Sequence, residues 1–189
     1  MIKMEEENKK FLLELARKAI KYYLETGRRL DVSPAEVPSE KLVEDGACFV
    51  TLKINGELKG CIGSLEAHRP LFFDVVENAL AAAFGDPRFM PLQKEEFSKV
   101  KISISVLSKP EHFPVKGPGD LLEKLVPGKH GLILEKGINR ATFLPCVWDE
   151  LPEKEKFLSH LSMKAGLAPD GWKDPEVKFY VYGAEEFSE

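Results

Sequence analysis

The 189-residue sequence is short of cysteine, glutamine and arginine, and it has no long apolar run. Three cysteines, Cys48, Cys61 and Cys146, are too few and too odd in number for a disulfide framework. None belongs to a Cys-x-x-Cys or His-x-x-x-His pair, which argues against a structural zinc site, and no metal is expected. No apolar stretch approaches the ~20 residues that span a bilayer, so no membrane partner is expected. The opening MIKMEEENKK has no signal-peptide core and is too acidic for a transit peptide, which leaves a cytoplasmic location as the expectation. Lys and Arg number 27 against 31 Asp and Glu, a balance of −4 that withholds the basic footprint of a nucleic-acid-binding domain. Gln93 is the single glutamine, and six arginines stand against 21 lysines, a bias that fits a thermophile's heat-adapted protein. What remains is 43% apolar and 31% charged, enough to bury a core beneath a solvated surface.

Patterning along the chain predicts an α+β protein. Phe11, Leu12, Leu15, Ala16, Ala19 and Ile20 recur at helical spacing across residues 5–26, and Gly27 supplies the stop. Residues 28–45 read as a loop. ACFVTLKI and ELKGCIGSL flank Asn55-Gly56, the strongest short-range hairpin signal. A second helix opens at Pro70, shows one apolar face through Ala83 and stops at Gly85-Asp86-Pro87. KISISVLS alternates as a half-buried strand, EHFPVKGPGD reads as a loop, and DLLEKL as a short helix. GLILEK and RATFL form a second hairpin around a turn at 137–139; a helix follows over 153–165, and EVKFYVYG is read as the last strand. Interleaved hairpins and helices imply a mostly antiparallel β-sheet flanked by helices. The chain reads as a single domain over 1–189, with two lobes open as an alternative, divided near 28–45 or 108–120.

Leu58-Lys59-Gly60-Cys61-Ile62-Gly63 breaks a local rule, because glycine inside a strand costs entropy and packs nothing. A regular two-residue turn would set Val50 opposite Cys61 and Cys48 opposite Gly63. Cys48 and Cys61 would then share a face as diagonal neighbours, with Lys59 beside Cys61 where its charge favours a thiolate. A one-residue slip reverses that arrangement, and the glycines have a plainer reading, that they only allow a bulge or close helix packing. Cys61 is open to three readings: a small buried hydrophobe, part of a binding surface, or a reactive thiol.

LKGCIGSLEAHRPL resembles the hallmark of the AMMECR family, usually written Leu-Arg-Gly-Cys-Ile-Gly. AFGDPRFMPLQKEEFSKVKISISVLS, PGKHGLIL, ATFLPCVW and FLSHLSMKAGL resemble the family's other blocks, in the family's order and over nearly the whole chain. Lys59 stands where the family usually has Arg, keeping the charge but losing the bidentate fork, and Cys146 stands where Gln is common. The resemblance implies an α+β fold with a larger and a smaller lobe and a cleft between them. It implies the company of a Memo-like protein and a radical S-adenosylmethionine protein in a modification pathway. It leaves the reaction and any cofactor unassigned.

Other polar candidates lie in the matched blocks. Asp86 and Arg88 either bind a polar ligand or clamp their own turn. His130 is either a general base or a loop histidine on a backbone carbonyl. Glu66 and His68 are expected to be exposed. Trp148 and Trp172, with Phe143 and Phe179, read as packing rather than a base-stacking platform. The acidic segments MEEENKK and GAEEFSE read as solvated ends. Three functions are carried forward. The first is a cleft protein binding a small molecule or peptide, with Leu58, Lys59, Gly60, Ile62, Gly63, Asp86 and Arg88 binding and Cys61, Glu66 and His130 catalysing a thiol-dependent step. The second is a non-enzymatic interaction module. The third is nucleic-acid association, which the charge disfavours.

Overall fold

A computed structural model describes residues 3–189. The chain forms two compact units, one of residues 3–107 with Glu185–Glu189, the other Ser108–Ala184. In chain order the first unit contains helix α1 (Glu6–Thr26), α2 (Glu40–Val43), strands β1 (Asp45–Gly46), β2 (Cys48–Ile54), β3 (Glu57–Gly63) and β4 (Arg69–Pro70), helices α3 (Leu71–Phe84) and α4 (Lys94–Phe97), and β5 (Val100–Leu107). The second contains β6 (Glu111–His112), α5 (Pro118–Lys124), β7 (Gly131–Lys136), β8 (Asn139–Phe143), α6 (Lys154–Lys164) and β9 (Lys178–Tyr182). A final strand, β10 (Ala184–Ser188), returns to the first unit's sheet.

That sheet has the order β10-β5-β2-β3, with β2 antiparallel to both β3 and β5. Alternate residues Cys48, Val50 and Leu52 of β2, and Val100, Ile102, Ile104 and Val106 of β5, face one side and are buried. The apolar stripes of α1 and α3 cover them: Leu12, Ala16, Ala19 and Ile20 from one helix, Phe72, Val75, Val76 and Ala79 from the other. Each fully buried Leu, Ile or Val in this layer contributes about 1.5–3 kcal/mol of transfer free energy. Gly27 ends α1 in left-handed backbone at φ 69, its N–H donating to the Tyr23 carbonyl.

The second unit's sheet has the order β6-β9-β7-β8. Its core gathers Leu121, Leu132, Leu134, Leu158 and Leu161 around Trp148, which stacks on Phe157 with ring centroids 3.7 Å apart. Trp172 and Phe179 are buried in the same cluster, and Phe143 packs against it.

Five readings are corrected. Residues 28–45 are not wholly loop: Ser33 caps a single 3-10 turn at Pro34–Glu36, and α2 follows. The segment EHFPVKGPGD contributes β6. Lys136 faces Asn139, so the second hairpin turns on two residues, not three. EVKFYVYG is not the last strand, because GAEEFSE supplies β10. Nor are the acidic ends simply solvated: Glu185 accepts the Met4 N–H and pairs with Lys9, and Glu189 accepts both Nε and Nη2 of Arg17.

Candidate functional site

Asn55 and Gly56, at φ 53 and φ 84, turn β2 into β3. Ile54 faces Glu57 and Lys53 faces Leu58, as a two-residue turn requires. The next pair is Leu52 with Gly60, so Lys59 is an extra residue in β3, a β-bulge. Beyond it Thr51 faces Cys61, Val50 faces Ile62 and Phe49 faces Gly63. This corrects the expected register. A shift of one residue sends every later side chain to the other face, so Cys48 points into the core while Cys61 lies on the opposite side. The two thiols are not face-sharing neighbours. Lys59 is also reassigned, for its ammonium goes to Glu96 of α4 at 2.9 Å.

Close packing accounts for both motif glycines. A Cβ on Gly60 would lie 1.9 Å from the Ala82 carbonyl oxygen of α3, and one on Gly63 would lie 2.3 Å from the Phe49 ring. Glycine there lets β3 approach the helix backbone on one side and the Phe49 ring on the other. Burial of Gly60 and the packing of Ile62 against the core agree with this placement.

The free edge of β3 is closed at Cys61 by Asp86 and Arg88. Asp86 Oδ2 accepts the Cys61 N–H at 3.0 Å and Arg88 Nη2 at 2.7 Å; Oδ1 accepts the Arg88 N–H at 3.1 Å and Nε at 3.0 Å. Arg88 Nη2 also donates to the Cys61 carbonyl at 3.3 Å. The Arg88 guanidinium, with the Cys61 amide adding to it, holds the Asp86 carboxyl well below the usual carboxylate range. Asp86 therefore clamps its own turn and the motif strand together. Because both backbone groups of Cys61 point away from β2, Thr51 and Cys61 form a non-hydrogen-bonded pair, the geometry that brings side chains closest. The Thr51 hydroxyl donates to Cys61 Sγ at 3.2 Å.

The pairing of β5 with β2 extends this contact into a row. Ser103, Thr51 and Cys61 lie side by side across three strands, and Ser105, Phe49 and Gly63 form the next row. All six are half-buried, on the face away from α1 and α3. Sequence reasoning missed Thr51, Ser103 and Ser105 as site residues. The alternation in KISISVLS already sets both serines opposite the core, and that was the signal available.

A second group of polar residues lies behind the motif. Asp74, fully buried on α3, accepts the Cys48 N–H at 2.9 Å, Asn78 Nδ2 at 2.9 Å, the Ser64 hydroxyl at 2.7 Å and Arg69 Nε at 2.7 Å. Its two oxygens are saturated, so it organises the end of β3 and the 64–70 connection. An Asp and an Asn four residues apart inside an otherwise apolar helix face mark such a network in sequence. Burial, with the Asp74 charge nearby, pushes the Cys48 thiol up.

The remaining candidates are Glu66, His68 and His130. Glu66 and His68 are exposed, with His68 Nδ1 2.9 Å from the Glu66 carbonyl oxygen. His130 belongs to the second unit. Its Nδ1 accepts the Val126 N–H at 3.2 Å, and burial, with the Lys129 charge, lowers its pKa below the ordinary imidazole value. It is held by a backbone amide, not by the carbonyl that the structural reading named. The structure thus brings Cys61, Asp86 and Arg88 together, and the hydrogen bond on Sγ comes from a hydroxyl. Among the described residues no group of three His, Cys, Asp or Glu side chains could hold a metal ion, and no helix is long and apolar enough to cross a membrane.

An α+β protein with antiparallel sheets flanked by helices, presenting a clamped Leu-Lys-Gly-Cys-Ile-Gly strand, is the class these features define. The AMMECR1 family profile matches residues 13–187, and the chain belongs to that family. It is 42% identical to a protein of Methanopyrus kandleri, over 97% of this chain and 89% of the other. It is 40% identical to one of Nanoarchaeum equitans, over 94% and 98%. The crystal structure of an uncharacterized protein from Pyrococcus horikoshii superposes with a TM-score of 0.84 at 38% identity, covering 100% of this chain and 94% of that one. Relatives of this kind come from archaeal thermophiles.

Proposed function

We propose that this protein takes a small molecule or peptide on the open sheet face around Cys61 and uses the thiol as its reactive group, within a cytoplasmic modification pathway. The observation that carries this reading is the local geometry of Cys61. Its side chain is half-buried, with Sγ held by the Thr51 hydroxyl at 3.2 Å, while Asp86 and Arg88 anchor its backbone from the other side. A sulfur fixed this way, with the Thr51 hydroxyl on it and Ser103 one strand further along the same row, meets a ligand with polar groups already in place. Resemblance to the AMMECR family supports a Memo-like protein and a radical S-adenosylmethionine protein as neighbours in that pathway.

Site-resolved alkylation with iodoacetamide over about pH 5 to 10 tests it, because the thiolate is the reacting form. Cys61 is expected to react in the native state while buried Cys48 reacts only after unfolding; exposed Cys146 serves as the accessible control. A Cys61 that resists alkylation until the protein unfolds would overturn the reading.

One observation favours a docking module instead. Leu58, Leu65, Phe73 and Met90 belong to the motif strand or to segments near it in sequence, and are 39%, 43%, 41% and 78% exposed. A contiguous patch of such side chains marks an interaction surface, and the docking reading requires these four to form one. Titration of the Memo-like protein against wild type and Cys61→Ser separates the readings: a docking module binds equally well without the thiol. Nucleic-acid association is the weakest alternative, and failure to bind oligonucleotides at low salt would remove it.

A further inference from the structure

We propose that the first unit takes a second copy of this chain at the free edge of its sheet, strand β10 of one copy pairing antiparallel with β10 of the other across a two-fold axis. The sheet β10-β5-β2-β3 has two edges, and one is closed, for Asp86 and Arg88 take both backbone groups of Cys61 on β3. Just beyond β10, the Glu189 N–H donates to the Ile102 carbonyl of β5 at 3.2 Å. Backbone groups alternate in direction along a strand, so Phe187 and Glu185 also turn inward, while the N–H and carbonyl of Glu186 and Ser188 turn outward. Those outward groups have no hydrogen-bond partner among the described residues. Such an edge is a template for another strand.

Two-fold symmetry leaves few registers. An axis through Glu185 or Glu186 would set like charges directly opposite each other, which is destabilising, and one through Ser188 makes only about two hydrogen bonds. An axis through Phe187 pairs Glu186 with Ser188 twice, makes about four hydrogen bonds, and brings the two Phe187 side chains together as a close cross-strand pair. The groove along this edge suits that register. It holds about 590 Å³ between β10 and α1, with Leu13 and Phe187 as the apolar residues of its lining. Lys9 pairs with Glu185 at 2.8 Å and Arg17 with Glu189, so Leu13, midway between the cations, lies alongside Phe187, midway between the acids. The axis therefore gathers Leu13 and Phe187 of both copies at the centre and leaves the charges at the rim, as a specific interface requires. Each rim acid arrives with its own cation, and Glu6, as far before Leu13 as Lys21 is after it to within one residue, comes beside Lys21 of the other copy. This edge is the one opposite Cys61 and owes nothing to the thiol.

Sedimentation velocity of the full chain from about 1 to 500 µM tests the proposal, a range suited to small, weak interfaces. Wild type is expected to pass from monomer to dimer as concentration rises, and Cys61→Ser to do the same. Ser188→Pro removes an outward N–H and leaves the bonds from β10 to β5 in place, so it is expected to weaken dimerisation at least about tenfold with circular dichroism unchanged. Ser188→Lys sets a cation opposite Glu186 twice and is expected to tighten the dimer about threefold. A monomer at every concentration would overturn the proposal, as would a dimer no weaker in folded Ser188→Pro, which would place the interface elsewhere. A Ser188→Lys dimer weaker than wild type would refute the register, whether or not the proline variant folds.

Discussion

The two tight hairpins of this molecule start alike and end differently. Each reverses on two residues, Asn55-Gly56 in one, both at positive φ, and Gly137-Ile138 in the other, where Gly137 alone has positive φ. From its turn, β7–β8 runs without interruption, from Lys136 opposite Asn139 to Leu132 opposite Phe143. Its strands serve the core, and Leu132, Leu134 and Ala141 are buried. The β2–β3 hairpin keeps the regular register for two pairs and then inserts Lys59. The insertion directs Gly60 at α3 and leaves the Cys61 thiol on the half-buried face away from the helices. A bulge here re-aims a side chain, and the glycines and the Asp86–Arg88 clamp secure the result.

Substitutions can break this contrast, and the largest effect falls on Gly60→Ala. Its Cβ meets backbone, which cannot move aside as a side chain can, so a loss above about 4 kcal/mol is expected in denaturant unfolding. Asp86→Ala comes next, at about 2 kcal/mol, because it leaves the half-buried Cys61 N–H without its acceptor and removes the partly exposed Arg88 pair. Gly137→Ala in the regular hairpin costs only about 1 kcal/mol, the left-handed backbone being its one objection. Lys59→Ala is smallest, about 0.5 kcal/mol, since the Lys59–Glu96 pair is only partly shielded from water. A Gly60→Ala variant no less stable than Gly137→Ala would refute the packing argument.

Acid sharpens the contrast between the units. His130 and Asp86 each have a folded pKa below the unfolded one, so each stabilises fully above its unfolded pKa and loses that contribution as pH falls through the folded value. For His130 the loss begins below about pH 6.5, and for Asp86 below about pH 4. The second unit should therefore weaken first on acidification. Near-ultraviolet dichroism follows it, since both tryptophans lie there. His130→Asn is expected to remove the higher-pH step and Asp86→Asn to reduce the lower one, which Glu96, Asp120, Asp174 and Glu185 share.

Much of the architecture was legible because it follows from local chemistry. The apolar stripe and Gly27 stop of α1, the Asn55-Gly56 turn, the helix after Pro70 and the alternation of β5 all stand where patterning put them. The glycines already allowed a bulge or close helix packing, and both are present, but the position of the bulge was not legible. Nothing in ELKGCIG marks Lys59 as the extra residue; the close approach of β3 to α3 selects it, and that is a tertiary fact. The same cause hid the Thr51–Cys61 pair. Strand β10 was missed because Glu185 and Glu189 look solvated until α1 brings Lys9 and Arg17 to meet them. Asp86 and Arg88 were found as candidates, though their joint hold on Cys61 depends on a turn closing over an edge strand.

That hold is the account's central claim, and amide hydrogen exchange at Cys61 tests it most directly. In wild type the Cys61 N–H is expected to exchange slowly despite lying on a free edge, and Asp86→Ala is expected to speed it by at least about a hundredfold while core amides such as Ile104 change only with global stability. A Cys61 amide that already exchanges in wild type as fast as an open turn amide would contradict the clamp and the fixed thiol built on it.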